Sequence, residues 1–275
     1  MFIKKHYSIA DFFISYKQLI FMIMDLKFIT CSGTNEHTDI PALVKLLKDF
    51  PITEIGVQVS DVKCAYGSPR FKWIKNLVDY VNKSGALINA ALHVNLKWVE
   101  SLGQGIIVPE LNDLLEYRDI NDDFFFKRIQ LNFKIGREEA PDFAKLTSLI
   151  HRSAPRRFIM SYNESNAEFI EKMYRHGCLF DCLFDGSFGQ GISPTHRQPP
   201  VFTDIVQGYA GGISADNVCD VLNEIQQVWQ KSPTLTGIYI DAQGKLEDEN
   251  THIDLAKARQ YVQNAYEWKL DHCVS

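Results

Sequence analysis

Past residue 25 the chain alternates two kinds of segment. Short apolar runs at 26–32, 54–60, 87–95, 128–133, 157–163, 178–185, 204–210 and 236–242 read as strands. Between them, apolar residues recur at helical spacing. Leu43, Leu46 and Leu47 share one face of a helix over 40–50. Ile74, Leu77, Val78 and Val81 do so over 71–83. Further helices are predicted over 141–151, opened by Pro141 in the first turn, and over 166–175, stopped by His176-Gly177. The last two are 215–231, with Ser214 as N-cap, and 254–269.

Several of the strand runs are apolar on both faces. Strands buried on both faces and separated by helices argue a parallel sheet. Eight strand–helix units favour a closed (β/α)8 TIM barrel, an α/β fold, over an open doubly wound sheet. The stretch 98–127 is longer than one helix needs and reads as an insertion. The segment after the sixth strand is broken by Pro194, Pro199 and Pro200. No linker divides the chain, so 26–275 is expected to be one barrel domain and 1–25 a short N-terminal extension, or an upstream start in place of Met22 or Met24.

Composition narrows the field. With 275 residues, 45% hydrophobic and 23% charged, disorder and fibrous architecture are excluded. The net charge of −5 leaves no global electrostatic case for nucleic acid, only for a local basic site. The run 19–24 is far shorter than the ~20 residues that span a bilayer, and no cleavage site follows it, so a cytoplasmic protein is expected. Six cysteines without a CxxC pair, and histidines without zinc spacing, read as reduced thiols with no metal.

In a barrel of this kind chemistry sits at the C-terminal ends of the strands. That position picks out Cys31 on strand one, Arg70 in the YGSPRF loop after strand two, and Asp185 at the end of strand six. It also picks out Gly211 and Gly212 after strand seven, and Gln243 and Gly244 after strand eight. Glycines before a helix N-terminus expose N–H groups to an anion, and barrels often hold a phosphate between loops seven and eight. A thiolate and a carboxylic acid across a small substrate suit proton abstraction paired with protonation. An arginine fork suits a carboxylate. On position alone, Cys31 reads equally well as a core thiol; the structural alternatives are a loop cap for Asp185, turn formers for the glycines and, as is usual for a lone arginine, a surface group for Arg70.

Taken in order, these residues resemble the phosphoribosylanthranilate isomerase family. Thr30-Cys31-Ser32 stands at that family's Cys strand, Ser68-Pro69-Arg70 at its Ser-Pro-Arg, and Val94-Asn95 at its third-strand end. Asp185 precedes Gly189-Gln190-Gly191, and Ala210-Gly211-Gly212-Ile213 with Asn217-Val218 matches the phosphate loop. The resemblance implies a (β/α)8 barrel without cofactor or metal that carries out an Amadori rearrangement in tryptophan biosynthesis. It converts N-(5-phosphoribosyl)anthranilate to 1-(o-carboxyphenylamino)-1-deoxyribulose 5-phosphate. It implies Asp185 as general acid on the ring oxygen, Cys31 as base at C2′ and Arg70 on the anthranilate carboxylate. It implies a small-molecule phosphosugar as partner, and a monomer or homodimer. The chain departs from the pattern at Asn132-Phe133, Phe188 and Gln190, which keeps open a paralogue acting on another phosphosugar, or a ligand-binding relative without activity.

Overall fold

The computed structural model describes residues 24–133, 140–185 and 191–273. Eight parallel strands close into a barrel in sequence order, β1 pairing with β2 and again with β8. The strands are β1 (Leu26–Thr34), β2 (Thr53–Val59), β3 (Asn89–Val94), β4 (Arg128–Leu131), β5 (Arg157–Tyr162), β6 (Phe180–Phe184), β7 (Gln207–Tyr209) and β8 (Ile238–Ala242). Helices α1 (Ile40–Asp49), α2 (Pro69–Lys83), α5 (Phe143–Arg152), α6 (Ala167–Arg175), α7 (Val218–Lys231) and α8 (Leu255–Cys273) cover the outside. The insertion at 98–127 holds two short helices, α3 (Lys97–Gly103) and α4 (Pro109–Leu115), and a bridge between Arg118 and Phe124. No regular element separates Gly191 from β7. Most of the expected extension, with Met22, lies outside the described residues; Met24 is buried in the core.

Local chemistry sets the helix starts. Asp39 Oδ1 accepts from Ala42 N at 2.8 Å, and Ser68 Oγ from Phe71 N at 3.2 Å, each followed by proline in the first turn. Two expected starts move. Asp142 caps α5, so Pro141 stands before the helix. α7 begins at Val218 after Asn217, because Asn217 Oδ1 takes the Ser214 N–H and its Nδ2 donates to Gly212 O. Ser214 is therefore held in the preceding turn.

The apolar core is a shell between barrel and helices, contributed by outward strand residues such as Ile29, Cys31, Ile55 and Ile240 and by helix residues such as Leu43, Leu77, Leu222 and Val262. Inside the barrel a smaller cluster joins Ile159, Leu183 and Tyr239, with Phe28, Val206 and Ala210 against it. The rest of the interior is polar, against the expectation of strands apolar on both faces. Thr30 Oγ1 donates to Glu54 Oε1 at 3.0 Å. Arg128 bridges Glu54 at 2.8 Å and Asp181 at 3.0 Å, and Arg157 meets Asp181 at 3.2 Å. Every charge in this layer has a partner, the condition under which buried charge is tolerated.

Candidate active site

The C-terminal ends of the strands surround a cavity of about 560 Å³. Its walls come from Gln58 on β2, His93 and Asn95 at β3, Gln130 and Asn132 at β4, and Ser161 and Asn163 at β5. Asp185 stands on the β6 side, Ala210 to Ile213 follow β7, and Asp241 to Lys245 follow β8. Such a volume suits a small molecule, and the amide-rich lining offers donors and acceptors to hydroxyl groups.

Asp241 lies at the floor. Burial, with further push from Glu54 and Asp185, raises its carboxyl to about 7 even though Ser32 and Arg128 favour the charged form. Ser32 Oγ donates to Asp241 Oδ1 at 2.5 Å and lies 3.4 Å from His93 Nδ1. Burial and the nearby Arg128 pull His93 down to about 3, so the imidazole is neutral. Gly56 makes room for it: a Cβ there would stand 2.5 Å from His93 Cε1 and 2.6 Å from Ser32 Oγ.

Asp185, Gly211, Gly212, Gln243 and Gly244 all line the cavity, so five of the residues picked out from the sequence converge. Gly211 and Gly212 have φ of +92° and +67°. A side chain at Gly212 would be strained and would collide with Ser193 Oγ. Arg197 donates to Ala210 O at 2.9 Å and Gly211 O at 3.3 Å, which fixes this turn from behind. Phe188, Gly189 and Gln190, expected in the loop after Asp185, lie outside the described residues.

Cys31 and Arg70 are placed elsewhere. Cys31 is mid-strand, since β1 continues to Thr34, and it is wholly buried in the outer core away from the cavity. Burial, reinforced by Asp241, pushes its thiol far above the ordinary range. Arg70 belongs to the first turn of α2 rather than to a loop, and it is 5% exposed. Its Nε is ion-paired with Glu36, and its Nη1 donates to Gln58 O at 2.6 Å. Between Arg70 and the cavity runs a chain of amides. Gln58 Nε2 donates to Gln243 Oε1 at 2.8 Å, and Gln243 Nε2 to Glu247 Oε1 at 2.9 Å.

Asp241, Ser32, His93 and Gln58 are site residues that position at strand ends did not single out. Parity finds them. Parallel partners share a face, and Thr30 pairs with Asp241, Cys31 with Ala242. An inward Asp241 therefore places Thr30 and Ser32 inward and Cys31 outward.

Among the described residues no His/Cys/Asp/Glu group could hold a metal ion, and no helix is long and apolar enough to cross a membrane. No family model and no curated protein matches the sequence. Solved structures do match in fold. The chain is similar to TrpF from Jonesia denitrificans at 18% identity and a TM-score of 0.51, over 88% of this chain and 98% of that one. It is similar to a phosphoribosyl anthranilate isomerase in complex with reduced 1-(o-carboxyphenylamino)-1-deoxyribulose 5-phosphate at 13% identity and 0.51, over 88% and 100%. The phosphoribosyl anthranilate isomerase from Thermus thermophilus matches at 13% identity and 0.50, over 89% and 98%. The likeness is one of fold: a closed (β/α)8 barrel, as in these isomerases.

Proposed function

We propose that this barrel binds a phosphorylated sugar and rearranges it from the aldose to the ketose form, with N-(5-phosphoribosyl)anthranilate as the first substrate to test. The observation that carries the reading is one cavity with the Gly211–Gly212 turn, which precedes α7, on one side and two carboxyl groups, Asp185 and Asp241, among its other lining residues. The phosphate sits on the N–H groups of Gly211 and Gly212, with Gly244 and the Gln243 backbone on the β8 side. Asp185 gives a proton to the ring oxygen, the ring opens to an iminium, and a base takes the C2 proton to leave an enolamine. That enolamine is protonated at C1 as the ketone forms.

Asp241 is the better-placed base. It lines the cavity, and a carboxyl poised near 7 is matched to proton transfer at neutral pH. Cys31 meets neither condition. The enzyme works in the cytoplasm as a monomer or homodimer.

The Glu36–Arg70 pair favours a second reading, a different phosphosugar. An arginine already neutralised by Glu36 offers little to an aromatic carboxylate. Steady-state kinetics on N-(5-phosphoribosyl)anthranilate generated in situ separates the two. Turnover supports the first; no turnover, with ribulose 5-phosphate still bound in calorimetry, supports the second. Failure of both ligands to bind would overturn the phosphosugar assignment.

A further inference from the structure

Leu96 breaks three local rules at once. It directly follows β3 and Asn95, with φ 56° and ψ −138°, a conformation that glycine adopts and leucine avoids. It occupies the N-cap of α3, where Ser, Thr, Asp or Asn would accept a hydrogen bond, and it provides none. Its apolar side chain is 54% exposed, and it lines the cavity. The strain is held from beneath by an amide chain. Gln130 Nε2 donates to Asn132 Oδ1 at 2.8 Å, Asn132 Nδ2 to Asn95 Oδ1 at 3.0 Å, and Asn95 Nδ2 to His93 O at 2.8 Å. Phe133, after β4, is a second apolar residue lining the β3–β4 side of the cavity.

We propose that Leu96 is a specificity residue, held over the β3–β4 side of the cavity to pack against an apolar group carried by the sugar phosphate. This rests on the phosphosugar reading above. The β3–β4 side lies across the barrel from the Gly211–Gly212 turn, so a ligand anchored there by phosphate presents its other end to Leu96. A bare sugar phosphate leaves Leu96 in water; a ligand with an aromatic amine at C1 covers it. Local backbone strain at an exposed apolar residue that lines a cavity is the pattern of a position kept for ligand contact.

The test compares two probes by calorimetry, 1-phenylamino-1-deoxyribulose 5-phosphate and ribulose 5-phosphate, on the full chain and on Leu96→Ala and Leu96→Gly. The expected result is a loss of about tenfold for the phenylamino probe in both variants, with ribulose 5-phosphate within about twofold of wild type. Leu96→Gly is also expected to melt at or above the wild-type temperature, since it relieves the strain. Equal effects on both probes, or none, would overturn the proposal while leaving the phosphosugar reading intact. A clear fall in melting temperature for Leu96→Gly would overturn it too, by making Leu96 a structural residue. Failure of both probes to bind wild type would overturn the phosphosugar reading and this inference with it.

Discussion

Cys31 lies opposite Ala242 in the β1–β8 ladder, one position out of phase with Asp241. That single step decides which of the two can meet a ligand. Asp241→Asn and Asp185→Asn are each expected to lower kcat by about 10²–10⁴-fold. Cys31→Ser should keep kcat near wild type and lose about 1–3 kcal/mol of stability, because it places a hydroxyl in the apolar shell. Steady-state kinetics with denaturant melts checks both. A collapse of kcat in Cys31→Ser with unchanged stability would return the thiol to the mechanism.

Asp241 also makes stability depend on pH. In the unfolded chain its carboxyl loses its proton near pH 4. In the folded protein it holds the proton to about 7. Between these values only the folded state carries the proton, so rising pH destabilises the fold, by at most about 1.4 kcal/mol per pH unit. The destabilisation is complete above pH 7. Asp241→Asn cannot ionise, so its melting temperature should gain on wild type from about pH 5 to about pH 8. A constant difference across that range would show that Asp241 titrates normally.

Arg70 is expected to act on the fold first. Arg70→Ala removes the ion pair with Glu36 and leaves Gln58 O without its donor. A loss of about 2 kcal/mol follows, with Glu36→Gln milder. Chemical denaturation measures it. Unchanged stability together with a raised KM would mean that the guanidinium turns to the ligand.

The two glycine sites should respond in opposite ways. Gly212→Ala meets both a positive φ and Ser193 Oγ, so it should distort the turn and weaken phosphate binding. A Cβ at Gly244 meets nothing within 4 Å, and Gly244→Ala should bind phosphate normally. Titration with inorganic phosphate compares them. Equal losses would place the anion elsewhere.

The order of the eight strands and the barrel they form were readable from hydrophobic spacing, because outward residues such as Ile29, Ile55 and Ile240 must meet the helices. So was the convergence of Asp185, Gly211, Gly212, Gln243 and Gly244, since strand ends share one face of any such barrel. What spacing hid was the inward set. Thr30, Glu54, Arg128 and Asp181 are polar residues scattered through runs that read as apolar, and their pairing depends on contacts up to 74 positions apart. Arg70 was hidden differently. Ser68-Pro69 announces a helix start, and a residue one step inside a helix is aimed by that helix, here toward Glu36. Leu96 carried no signal at all, because leucine after a strand looks like more core.

The charged layer inside the barrel has a consequence for how the molecule is assembled. Glu54 and Arg128 come from β2 and β4; Arg157 and Asp181 come from β5 and β6. Each half of the barrel thus brings to this layer one acid and one base that already neutralise each other, and among these ion pairs Arg128–Asp181 crosses between halves. A chain divided after β4 would keep one acid–base pair of this layer in each fragment, so the layer would need no new counter-charge when the β4–β5 and β8–β1 edges meet again. Each fragment thus brings its own neutralised pair to the seam between the fourth and fifth strands, and the Arg128–Asp181 ion pair re-forms there.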